Sequence, residues 1–142
     1  MSRIYWDTML FIYWLEDHPH FARRVGEIRA RMNQRHDELI TSSFTFGEIL
    51  AGIYRKPSGD LVAADVKRSL ESTISEVIPF DVVTADHYGR IRGELGVPPA
   101  DAIHLASAAR AGTDLFLTND KRLVGKVVPG IQFIAPLEAP LF

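Results

Sequence analysis

Cysteine is missing from all 142 residues, which excludes a disulfide framework and a thiolate metal centre. Any bound metal must then be held by oxygen or imidazole, and oxygen donors favour Mg²⁺ or Mn²⁺. Long apolar runs are missing too. The longest, Met9 to Leu15, lies between Asp7 and Glu16, far short of the roughly 20 residues that a spanning helix needs. It has neither a basic leader nor a small-residue cleavage site. These absences predict a cytoplasmic protein with no membrane partner. Excess charge of one sign is also lacking: 16 basic against 18 acidic side chains leave a net −2, so the molecule as a whole is no basic sponge for nucleic acid. Finally, no glycine-rich loop ending in Gly-Lys-Ser/Thr occurs, which excludes the common nucleotide-phosphate cradle.

What is present reads as one globular domain over residues 1–142, long enough for a single continuous core. Ile4 to Trp6 is a short β-favouring run ending in Asp7-Thr8, a pair able to cap the helix that Met9 to Leu15 would form. Phe21, Val25, Ile28 and Met32 mark an amphipathic helix. Its other face carries Arg23, Arg24, Arg29, Arg31 and Arg35, a local basic surface. Leu39 to Ser42 reads as a buried strand, and Ser43 to Tyr54 as a helix stopped by Lys56-Pro57-Ser58-Gly59. Val62, Val66, Leu70 and Ile74 mark another helix, and Val77 to Phe80 a third strand. Ala85, Tyr88, Ile91 and Leu95 predict a helix capped by Gly96, and an alanine-rich helix from Ala100 to Ala111 ends at Gly112. Leu115 to Leu117 and Gln132 to Ile134 supply the fourth and fifth strands. Short apolar strands alternating with amphipathic helices predict a mostly parallel sheet covered on both faces.

In such sheets ligands collect beyond the carboxyl ends of the strands. Asp7 follows the first strand, Glu48 the second and Asp120 the fourth, while Asp101 opens the alanine-rich helix. Each acid alone has a plain structural account, since helix N-termini favour negative charge. Asp7 and Asp120 suit caps, Glu48 suits a capping box with Thr45, and Asp101 suits a first turn. Four such acids on one sheet edge are different, because clustered carboxylates repel one another unless cations neutralise them. Mg²⁺ or Mn²⁺ is the expected cofactor.

Four segments, "YWDTMLFIYWLE", "TSSFTFGEILAG", "PPADAIHLASAARAG" and "DLFLTNDKRL", resemble in order and spacing the PIN domain nucleases, and within them the VapC-type toxins of toxin-antitoxin pairs. The resemblance spans essentially the whole chain. It implies a three-layer α/β/α sandwich with a five-stranded sheet. It also implies a metal site for RNA cleavage built from Asp7, Glu48, Asp101 and Asp120, with Thr8, Thr118 and Asn119 supporting it from behind. Met9 stands where the family commonly has a small polar residue. An RNA substrate, a small inhibitory antitoxin and a homodimer are the partners so implied. The antitoxin is expected along the basic face of Arg23, Arg24 and Arg31.

Other residues weigh less. His104, three after Asp101, shares a helix face with it and makes an Asp-x-x-His metal pair conceivable, although a lone helix histidine more often packs. Trp6, Tyr13 and Trp14 suit the core better than base stacking. Lys121 and Arg122 suit RNA phosphates or a solvated turn equally. A phosphoacceptor domain would need an acidic pair after the first strand, and an aspartate-nucleophile hydrolase Asp-x-Asp; Asp7-Thr8-Met9 offers neither. A PIN-fold module that binds RNA or protein without cutting is the remaining alternative.

Overall fold

The computed structural model describes residues 1–141. Five strands, β1 (Arg3–Trp6), β2 (Glu38–Ser42), β3 (Glu76–Ile78), β4 (Thr113–Leu117) and β5 (Ile131–Ala135), form one sheet in the order β3-β2-β1-β4-β5. Every neighbouring pair is parallel. Six helices connect them: α1 (Thr8–Leu15), α2 (Ala22–Arg35), α3 (Ser43–Tyr54), α4 (Gly59–Thr73), α5 (Val82–Leu95) and α6 (Pro99–Ala111). Among the described residues no helix is long and apolar enough to cross a membrane.

Strand side chains alternate between the two faces, and the core divides accordingly. Ile4, Trp6, Leu39 and Leu117 pack on one side with Leu10 and Phe11 of α1, Val25, Ile28 and Met32 of α2, Ile49 of α3 and Leu70 of α4. Tyr5, Ile40 and Phe116 pack on the other with Ile91 of α5 and with Ala102, Leu105, Ala106 and Ala109 of α6. The alanines of α6 are small enough to bring its backbone close to the strands. A parallel sheet buried on both faces needs apolar residues at consecutive strand positions, which Ile4-Tyr5-Trp6 and Phe116-Leu117 provide.

The strand order locates the crevice. The chain runs outward from β1 to β2 and β3, then returns to the other side of β1 with β4 and β5, so the connections leaving β1 and β4 diverge at the carboxyl edge. That divergence is the topological switch point where ligands bind in open α/β sheets.

Several boundaries differ from expectation by a residue or two, β4 for instance starting at Thr113 rather than Leu115, and two have a clear physical reason. The third strand ends at Ile78 rather than Phe80: Pro79 has no N–H to give a ladder, and Phe80 stands half exposed. The Lys56-Pro57-Ser58-Gly59 break is also tighter than a loop, since Gly59 already opens α4. Gly96 and Gly112 close α5 and α6 in the left-handed conformation, as their positions predict.

Gly130, just before β5, has φ +97°, and a Cβ there would lie 2.6 Å from the carbonyl oxygen of Ala109. Gly130→Ala is therefore expected to destabilise the protein by about 2 kcal/mol, from a disfavoured φ plus a backbone clash. Equilibrium urea unfolding measures it, and a change under half that size would show that the turn relaxes freely.

Candidate active site

The carboxyl ends of β1 and β4 open into a cavity of about 480 Å³ lined by Asp7, Thr8, Glu48, Asp101, His104 and Asp120, among others. All four sequence-predicted acids thus face one space, as do Thr8 and Asn119, whereas Thr118 stands fully buried behind it. Met9 lines the cavity as well, half exposed. Among the described residues no three His, Asp or Glu side chains are drawn closely enough together to hold an ion as they stand.

Each acid is held differently. Asp7 follows β1 directly and is the N-cap of α1: its Oδ1 accepts from the Met9 N–H at 3.0 Å. Its Oδ2 accepts from the Thr118 hydroxyl at 2.5 Å. Burial pushes the Asp7 carboxyl up, against the lowering effect of these donors. Capping and site geometry are therefore one arrangement here, not alternatives. Thr118 also accepts from the Asp120 N–H at 3.0 Å, so one hydroxyl ties the ends of β1 and β4 together.

Glu48 is not part of a capping box. Ser42 caps α3 by accepting from the Phe44 N–H, and the Thr45 hydroxyl instead meets that of Thr41. Glu48 lies a turn further on, where its Oε1 accepts from the Thr8 hydroxyl at 2.5 Å and pairs with His104 Nε2 at 2.8 Å. Burial pushes its carboxyl up, but the His104 and Thr8 hydrogen bonds and the His104 charge outweigh that, so it sits below its ordinary value. Glu48 is held as a carboxylate.

Asp101, in the first turn of α6, is pushed up by burial and next by the charge of Asp120. Asp120 falls in a turn rather than at a helix start. Hydrogen bonding from Arg122 is the main cause of its lowered pKa. The Arg122 guanidinium reaches both its oxygens, Nε to Oδ1 at 3.0 Å and Nη2 to Oδ2 at 2.7 Å. The Asn119 amide turns away from Asp120 and donates to the Tyr13 hydroxyl at 3.1 Å.

The sequence pattern that defines the PIN domain matches residues 4–126. The chain belongs to the PIN domain family. Among solved structures it is similar to a VapBC complex of Salmonella typhimurium bound to DNA, at 26% identity and TM-score 0.72 over 96% of this chain and 99% of that one. It is also similar to VapBC2 of Rickettsia felis bound to a DNA fragment from its promoter, at 16% identity and TM-score 0.75 over 94% and 98%. VapBC-5 of Mycobacterium tuberculosis, from the VapBC family of toxin-antitoxin systems, aligns at 21% identity and TM-score 0.59 over 94% and 98%. No curated protein matches the chain significantly.

Within this PIN fold, two residues gain roles that linear spacing hides. His104 does not pair with Asp101: both its ring nitrogens are engaged elsewhere, Nδ1 with the Tyr5 hydroxyl at 2.8 Å and Nε2 with Glu48. A carboxylate only accepts, so Nε2 carries a proton toward Glu48, while Nδ1 and the Tyr5 hydroxyl share the second hydrogen bond. Tyr5, wholly buried on β1, has its hydroxyl pushed up by that burial and stays protonated. The period-two alternation that turns Tyr5 away from Trp6 and toward α6 is the only hint of this in the sequence. The basic face of α2 is likewise less free than it reads. Arg24 donates to the carbonyls of Leu137 and Ala139, and Arg29 to that of Thr73.

His104→Leu is expected to raise the Glu48 pKa, because a donor to the charged form is lost. His104→Gln, whose amide reaches to about the Nε2 position, should keep most of the depression. Carboxyl ¹³C NMR titration reads both, and values in both variants equal to that of the unmodified protein would assign the shift to Thr8 alone.

Proposed function

We propose that the protein is a Mg²⁺- or Mn²⁺-dependent endoribonuclease, the toxin of a toxin-antitoxin pair. The observation that carries this reading is the gathering of four carboxylates around one cavity at the switch point of a PIN fold. The donors fit a hard divalent cation: all are carboxylate oxygens, and burial and then the charge of Asp120 raise the Asp101 pKa. Asp7, Asp101 and Asp120 would hold the metal, with Glu48 directly or through water.

A phosphodiester resists hydrolysis because water is a weak nucleophile and because negative charge builds on the phosphoryl and leaving oxygens. A bound divalent cation supplies a lower pKa for water and an offset for that charge. The chain's own residues prepare the ground. Thr118 and the Met9 N–H fix both oxygens of Asp7. Thr8 and His104 occupy Glu48 Oε1 and keep the group ionised, which leaves Oε2 to accept a proton from water. Thr8 and Thr118 thus act through the acids they hold.

A phosphodiester substrate suits the acids, and the resemblance to the PIN domain nucleases implies that it is RNA. An antitoxin partner follows from the likeness to complexes described as toxin-antitoxin systems, a homodimer is what the family resemblance implies, and a cytoplasmic setting accords with that role. A PIN module that binds without cutting is the second reading, favoured by the engagement of Asp120 with Arg122.

The test is cleavage of a mixed RNA pool by the purified protein with Mn²⁺ or Mg²⁺. We expect cutting that stops with EDTA and falls by about a hundredfold or more in Asp7→Asn and in Asp101→Asn, the scale on which single charge-stabilising groups act. No cutting by the unmodified protein, together with no calorimetric metal binding, would leave the binding module standing.

A further inference from the structure

Among the described residues, the turn after β4 carries the one arginine that pairs with the acids of the cavity. Arg122 grips both oxygens of Asp120 in a fork, its backbone N–H also donates to Oδ1 at 3.0 Å, and its Nη2 lies 3.7 Å from Asp101 Oδ2. A guanidinium therefore bears on the two carboxylates whose mutual repulsion calls for a cation. Its side chain is 72% exposed, and exposed ion pairs hold weakly and yield readily to a competitor.

We propose that Arg122 is an exchangeable counter-ion of the Asp101–Asp120 pair. It competes with the divalent cation for Asp120 and, once displaced, turns to an RNA phosphate at the rim of the cavity. The proposal rests on the metal-nuclease reading above. Three physical facts support the exchange. The fork covers both Asp120 oxygens, so a cation coordinating that carboxylate must loosen at least one arm. A double charge interacts with two carboxylates more strongly than a single delocalised one at equal distance. The freed guanidinium has five donors in a planar fork that matches phosphate as well as carboxylate. Because Arg122 is only two residues from Asp120, the released group stays tethered at the site. Lys121, exposed on the same turn, makes no contact with the acids among the described residues and supplies the control.

The experiment is a calorimetric Mn²⁺ titration of the full chain, as unmodified protein, Arg122→Gln, Lys121→Gln and Asp101→Asn, followed by steady-state RNA cleavage at saturating Mn²⁺. Arg122→Gln should bind Mn²⁺ about three- to fivefold tighter, the weight of an exposed ion pair, yet show a raised KM for RNA. Lys121→Gln, with the same change of net charge, should bind Mn²⁺ as the unmodified protein does. Unchanged or weaker Mn²⁺ binding in Arg122→Gln, or equal tightening in Lys121→Gln, overturns the counter-ion role. Tighter Mn²⁺ binding with an unaltered KM overturns the passage to phosphate. Mn²⁺ binding that survives Asp101→Asn rejects the metal site itself, a failure distinct from these.

Discussion

The parallel pairing of β1 with strands on both sides governs the arrangement of everything at the carboxyl edge. Tyr5 aligns with Ile40 and with Phe116, and Trp6 with Leu117, so the segments that leave the three strands emerge together. Asp7 then meets Thr118 across a span of 111 residues, and Thr8 meets Glu48 across 40. The same register turns Tyr5 toward α6, where its hydroxyl reaches His104. A one-residue slip would invert these facings, and the apolar residues that alternate with them would lose the core at the same time. Packing and site geometry are therefore specified by one alignment.

Within the cavity, similar side chains are held in dissimilar electrical surroundings. Asp7 is raised by burial, Asp101 by burial and a neighbouring charge, Glu48 is lowered by an imidazole and a hydroxyl, and Asp120 by a guanidinium. Such divergence among like groups is common at functional sites. Here it arises from unequal burial and from donors of different kinds: hydroxyls from α1 and the end of β4, an imidazole from α6 and a guanidinium from the turn after β4.

Much of this was legible in the chain. The strands declared themselves through β-branched and aromatic runs, and the position of Asp7 and Asp120 after strands placed them at the sheet edge. Glu48, after the second strand, and Asp101, at the start of the alanine-rich helix, joined the same set by position, and the resemblance implied the same four acids. What escaped was partnership over distance. His104 looked coupled to Asp101 because both lie on one helix, yet its partners come from β1 and α3. Arg24 looked like part of a solvated basic face, and only the returning chain shows that it holds the carbonyls of Leu137 and Ala139. Helical spacing reports who shares a face and says nothing about what will pack against it.

The opposite edge of the sheet is just as acidic but is wired differently. Arg3 pairs with Glu38 and Glu76, its N–H meets Asp114, and Asp37 is held by the Ser2 N–H and by Arg35. There the chain itself neutralises its carboxylates, through bonds that also tie the amino ends of β1, β2, β3 and β4. One edge thus keeps its charges balanced as part of holding the sheet together, while the other leaves its balance open to exchange. On the proposed metal reading, ion uptake and folding are separated in space, and a cation would come and go without the sheet having to re-form around it.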